Sequence, residues 1–129
     1  MQQTNFHNKN NKSQSSIITK EKEAYQIWLI LHKNFPKTER FSLGQKIDSI
    51  FLNILELSFV ALYQPPEEKI FLLSKAISRL DLLKFFMQLS WENKLIPTTK
   101  FAELSQKLEE IGRILGGWKK GIKSKTPAK

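Results

Sequence analysis

The sequence predicts an all-α fold, an antiparallel up-and-down four-helix bundle. Three observations carry that expectation. Apolar residues recur at spacings of three and four along four segments, and no run alternates with the period of two that a half-buried strand needs. Three proline-containing breaks separate the segments: Phe35-Pro36, Gln64-Pro65-Pro66 and Leu95-Ile96-Pro97. Proline lacks an amide donor and restricts its predecessor, so each break ends one helix and can open the next.

The first helix is expected over about 20–34, with Ala24, Trp28, Leu31 and Phe35 on one stripe and Ile27 and Ile30 widening it. Thr19 is its expected N-cap, and Glu21 and Glu23 fall in the first turn, where the helix dipole favours acids. Residues 36–41 can add a short helical turn. The second helix starts near Ser42, where Ser42-Leu43-Gly44-Gln45 fits a capping box, and runs to about Tyr63. It carries two apolar stripes: Leu43, Ile47, Ile50, Ile54, Leu57 and Ala61, then Leu52, Leu55, Phe59 and Leu62. One buried face is enough for a bundle helix, so the second stripe calls for a second partner.

The third helix, about 66–93, opens on Pro66, Glu67 and Glu68 and has a seam of Ile70, Leu73, Ile77, Leu80 and Met87. The fourth, about 98–115, has the cleanest seam: Phe101, Leu104, Leu108, Ile111, Leu115 and Trp118. Gly116-Gly117 then reads as a C-cap, with Trp118 folded back on the last turn. The expected organisation is a disordered polar tail over 1–18, the bundle over 19–118, and a flexible lysine-rich tail over 119–129.

The chain has 129 residues, 21 basic and 12 acidic, for a net charge of +9. Residues 20–118 hold 14 basic and 12 acidic residues, so most of the excess sits toward the two ends. Cysteine is absent, which excludes disulfides, thiolate metal sites and cysteine nucleophiles. No run approaches the roughly 18 apolar residues of a membrane span, and the first sixteen residues lack the apolar stretch of a secretory signal. A cytoplasmic location without membrane contact is the expectation.

The inventory offers no catalyst, cofactor site or metal site. His7 lies in the polar N-terminal stretch and His32 beside Lys33 at a helix end. Glu67-Glu68 and Glu109-Glu110 are adjacent pairs that point to different helix faces. Glu56 and Asp81 have apolar neighbours, so each is expected to be buried against a base such as Lys84, Arg79 or Arg113. Trp28 and Trp91 stand at core spacing and are expected inside. No glycine loop suited to cradling phosphate is present. No enzyme is indicated.

What remains is binding of a polyanion or partner. Lys75, Arg79 and Lys84 form a candidate strip on the third helix, Lys37 and Arg40 cluster with Lys33 around the first connection, and Lys94 and Lys100 flank the last. Lys119, Lys120 and Lys123 add a candidate arm at the C-terminal end. Such a set contacts phosphates without reading bases, giving salt-sensitive, sequence-tolerant binding.

Three stretches together resemble a known family: Phe35-Pro36-Lys37-Thr38-Glu39-Arg40-Phe41-Ser42-Leu43-Gly44, then Leu73-Ser74-Lys75-Ala76-Ile77-Ser78-Arg79-Leu80, then Ile111-Gly112-Arg113-Ile114-Leu115-Gly116-Gly117-Trp118. In this order the chain is similar to the accessory variability determinant (Avd) family of diversity-generating retroelements. That family lies within the four-helix-bundle superfamily of proteins encoded in 23S ribosomal RNA intervening sequences. The resemblance implies a homopentameric barrel of bundles with a basic surface. It also implies binding to template RNA or DNA and to the element's reverse transcriptase during mutagenic reverse transcription and retrohoming. The alternative is an oligomeric scaffold of the intervening-sequence type with no specific nucleic-acid role.

Overall fold

The computed structural model describes residues 9–125. Among these residues all the regular elements are helices, without strands: α1 (Lys9–Lys33), the short α2 (Lys37–Arg40), α3 (Leu43–Ala61), α4 (Pro66–Glu92) and α5 (Thr98–Lys125). The four long helices form the expected bundle, and α2 is the extra turn foreseen after Pro36.

Side-chain pairs fix the directions. Glu21 meets Ser58 while Trp28 meets Asp48, so α1 and α3 run antiparallel. Lys84 of α4 meets Glu109 of α5, and Lys20 of α1 meets Glu110. Each long helix thus packs on two neighbours, with α1 diagonal to α4 and α3 diagonal to α5. One end of the bundle carries the α1–α3 and α4–α5 connections; we call it the two-loop end. The terminal end carries the tight α3–α4 turn and the outer parts of α1 and α5.

The core is the predicted stripes turned inward. Ala24, Trp28, Leu31 and Phe35 face Ile47, Ile50, Ile54 and Leu57, and Leu73, Leu80, Leu83 and Met87 face Leu104, Leu108, Ile111 and Leu115. Ile30, expected to widen the first stripe, is 63% exposed. Of the second stripe of α3, Leu52 and Phe59 are exposed while Leu55 and Leu62 are half-buried; Val60, Tyr63 and, on α4, Phe71 are exposed as well.

Both outer boundaries differ from expectation. The first helix starts at Lys9, not at 20, and Thr19 lies inside it rather than capping it. Ile17, fully buried, carries the apolar stripe past Thr19, so the helix does not begin there. At the other end α5 passes through Gly116 and Gly117 without a left-handed residue and continues to Lys125. Trp118 and Ile122 pack against the core beyond the glycines, so burial keeps the helix going where the glycine pair alone would stop it. Residues 9–18 and 119–125 are therefore helical, correcting the expected tails; residues 1–8 and 126–129 lie outside the described residues.

Because Glu21 stands level with Ser58 and Lys20 with Glu110, α1 before about residue 18 and α5 after about residue 112 run past the end of α3 at Ala61. The α3 C-terminus has its own cover. Lys69 Nζ donates to the carbonyls of Ala61 and Leu62 at 2.9 and 3.0 Å, and loss of solvent around that ammonium lowers its pKa.

Candidate nucleic-acid interface

The first connection shows what the Phe-Pro-x-x-x-Arg-Phe-x-Leu-Gly pattern does. Phe35 is buried edge-on to Trp28, with ring centroids 5.5 Å apart. Pro36 opens α2, and Arg40 closes it by donating from Nη2 to the Phe35 carbonyl at 3.2 Å. His32 stacks on Trp28 and donates from Nε2 to the Arg40 carbonyl at 3.0 Å. Gly44 lets α3 pass this ring, because a Cβ there would stand 2.5 Å from His32 Nε2. The expected capping box does not form: Ser42 Oγ instead donates back to the Thr38 carbonyl. Asp48 Oδ1 then accepts from Tyr25 Oη at 2.8 Å and Trp28 Nε1 at 3.1 Å. Loss of solvent, with that bond and the Asp48 charge, pushes the Tyr25 phenol up to about 12.

The basic candidates fall into separate groups. Lys75 and Arg79 are both exposed on α4, one turn apart, and neither makes an ion pair among the described residues. The Lys75 ammonium lies 5.5 Å from the centre of the exposed Phe71 ring, a cation–π contact. Lys84 does not join them. Five residues after Arg79 it has turned toward α5, where it is half-buried and pairs with Glu109 at 3.2 Å. Arg40 is committed to the first connection, with its Nε buried, whereas Lys37 beside it is exposed.

Lys94 is exposed at the two-loop end, and Lys119, Lys120 and Lys123 lie at the terminal end. At 1.5 Å per residue the length of α5 from Thr98 to Lys119 separates these groups by about 30 Å. The last three are not on a flexible arm. They follow one face of α5, within an arc of about 100°, so their spacing is set by the helix.

Two other expectations change. Glu56 and Asp81 are exposed and make no ion pair among the described residues, because both sit on outward faces of their helices. The buried acid is Glu21, 1% exposed. Its Oε2 accepts from Ser58 Oγ at 2.7 Å, while Oε1 has no hydrogen-bond partner. Desolvation, only partly offset by the Ser58 bond, pushes its pKa from 4.5 up to about 8, so the carboxyl is neutral at pH 7. The signal was present in the sequence: Ile17, Glu21, Ala24, Trp28, Leu31 and Phe35 step by four, three, four, three and four.

Trp28 is in the core as expected, but Trp91 is 36% exposed. The α4 seam ends on Met87 and the buried Ser90, which leaves residue 91 one position off it. Trp91 instead stacks on Phe101 at 4.8 Å, nearly parallel, and donates from Nε1 to Thr98 Oγ1 at 3.0 Å.

Among the described residues no group of three or more His, Asp or Glu side chains is placed to hold a metal ion. No helix of the described residues is long and apolar enough to cross a membrane. Compared with known proteins, residues 16–122 match a family model described as bAvd-like. No curated protein and no solved structure matches the chain.

Proposed function

The chain belongs to the bAvd-like family, and from that premise we propose that it is a non-enzymatic accessory protein of a diversity-generating retroelement. In this reading it binds the element's reverse transcriptase and its template RNA or complementary DNA, and it supports mutagenic reverse transcription and retrohoming in the cytoplasm. The family match over residues 16–122 carries the proposal. The charge distribution supports it: Lys75 and Arg79 on α4 and Lys119, Lys120 and Lys123 on α5 are helix-borne cations available to phosphates.

Assembly into a homo-oligomer is part of the same reading. The exposed apolar residues of α3, Leu52 and Phe59 with Tyr63 stacked edge-on to Phe59, are the type of apolar face that association covers. The number five follows from the resemblance to the Avd family.

Filter binding of wild type, Lys75→Ala/Arg79→Ala and Lys119→Gln/Lys120→Gln/Lys123→Gln to RNA and DNA at two salt concentrations tests the nucleic-acid role. Affinity should fall steeply with salt, and each variant should weaken binding with a shallower salt slope. Negligible binding by all three proteins would leave the oligomeric scaffold as the function. Light scattering that finds a monomer at micromolar concentration would remove the assembly, and a dimer would remove the number five.

A further inference from the structure

At the two-loop end, a groove of about 880 Å³ opens between the last turn of α1 and the α4–α5 connection, lined among others by Ile30, Trp91, Lys94, Pro97 and Lys100. That volume falls within the range of small-ligand sites, about 300–1,000 Å³. We propose that this groove binds single-stranded nucleic acid, stacking one unpaired base on Trp91 while Lys94 and Lys100 hold the flanking phosphates. The inference rests on the nucleic-acid reading above and gives it a second site, distinct in place and chemistry from Lys75 and Arg79.

The aromatic platform is built before any ligand arrives. Trp91 lies against Phe101 with an interplanar angle of 8°, and its Nε1 is held by Thr98 Oγ1. The ring is thus fixed in orientation, yet it stays 36% exposed and lines the groove. A large aromatic ring held half in water forgoes part of its burial energy; an exposed, immobilised ring suits stacking, which accepts any base because every base has a π face.

Lys94 supplies the second observation. It has φ 63°, the only left-handed non-glycine residue among the described residues. Its amide donates to the Trp91 carbonyl and the Leu95 amide to the Ser90 carbonyl, closing the end of α4 at a position where helices most often place glycine. A lysine there adopts a conformation that its Cβ disfavours, and its side chain lines the same groove as Trp91. A positive side chain at a helix C-terminus also complements the dipole, but that needs no left-handed position.

Two ammonium groups line the groove and can be turned to an anion. Lys94 and Lys100 share the lining with one carboxylate, Glu92, which already accepts from Gln88 at 3.0 Å. Lys100 also contacts Glu103 at 3.4 Å, with both side chains about half exposed, a pair that a phosphate can displace. The unpaired amides at the start of α5, which follow Pro97 into the same groove, add to the positive field. A paired duplex cannot offer a base to this ring without unstacking it, so the ligand is single-stranded.

The test uses the full chain and three oligonucleotide probes of equal length: a single strand, its duplex, and a strand with abasic sites that keeps every phosphate. RNA and DNA versions of each are titrated by fluorescence anisotropy. Wild type should bind the base-bearing strand about 10-fold more tightly than the abasic strand, and Trp91→Leu should lose that difference. Lys94→Gly is the decisive variant. It should lower affinity several-fold and reduce the salt slope by about one, while its urea midpoint stays the same or rises because glycine prefers this backbone. A structural role alone would raise stability without touching affinity. Wild type that binds base-bearing and abasic strands equally overturns the stacking site and leaves the general nucleic-acid role standing. No binding to any probe overturns both together.

Discussion

The two ends of the bundle use glycine in opposite ways. At the two-loop end Gly44 is a steric requirement: α3 passes so close to His32 that one added carbon would meet the imidazole at 2.5 Å. Toward the terminal end Gly116 and Gly117 lie inside α5, and a Cβ at either would have no heavy atom within 4 Å. One end is a closed knot of Trp28, His32, Phe35, Arg40 and Gly44; the other is a pair of helices running past their neighbours. The difference teaches that a glycine's meaning is set by what stands opposite it, which a linear motif does not record.

The largest expected effect comes from removing the ring at the centre of the knot. Trp28→Ala deletes the partner of Phe35, Phe51 and His32 and one donor to Asp48, and should cost about 3–5 kcal/mol in urea unfolding. A loss near 1 kcal/mol would mean that the two-loop end is not the anchor.

Next in size is Glu21, close to where α1 begins to run past α3. With a folded-state pKa of about 8 against an ordinary 4.5, its carboxyl keeps a proton that the unfolded chain releases. The contribution is fully present below pH 4.5 and is lost as pH rises to about 8, at up to about 1.4 kcal/mol per pH unit. Unfolding free energies between pH 5 and 8 should therefore fall with pH. Glu21→Gln should flatten that decline, and a slope unchanged by the substitution would show that another group causes it.

Gly44→Ala should cost about 1–3 kcal/mol by overpacking. His32→Ala should recover part of that loss, since the clash is with its ring. Purely additive losses in the double-mutant cycle would contradict the close approach.

The smallest effect has the opposite sign. Gly116→Ala and Gly117→Ala should each stabilise by about 0.5–1 kcal/mol, because both glycines are mid-helix with room for a methyl group. If either substitution destabilises as much as Gly44→Ala does, the contrast between the two ends fails.

The bundle itself was legible because its seams are strong: Leu104, Leu108, Ile111 and Leu115 could face only a core. The proline breaks located all three connections for the same reason, since a missing amide acts locally. The outer boundaries were not legible. Gly116-Gly117 has the local character of a stop, and only the tertiary burial of Trp118 and Ile122 overrides it. Ile17 was lost among polar neighbours, and with it the stripe position of Glu21. Of the basic residues, Lys75 and Arg79 were placed correctly on one exposed face. Lys84 and Arg40 differ because an ion pair and a carbonyl contact hold them, and both contacts come from parts of the chain that periodicity cannot align.

Asp48 has one more consequence. A seam built from leucine and isoleucine tolerates sliding, since a shift of one helical turn, about 5.4 Å, brings similar side chains opposite one another. Asp48 removes that freedom. Its Oδ1 receives both Tyr25 Oη and Trp28 Nε1, donors about one turn apart on α1. Sliding α1 along α3 by a turn would strip a carboxylate of both bonds and leave the indole N–H of the buried Trp28 without a partner. A single oxygen thereby works as the detent of the bundle, converting a slippery apolar contact into one axial setting, and every residue at the two-loop end inherits its height from that setting.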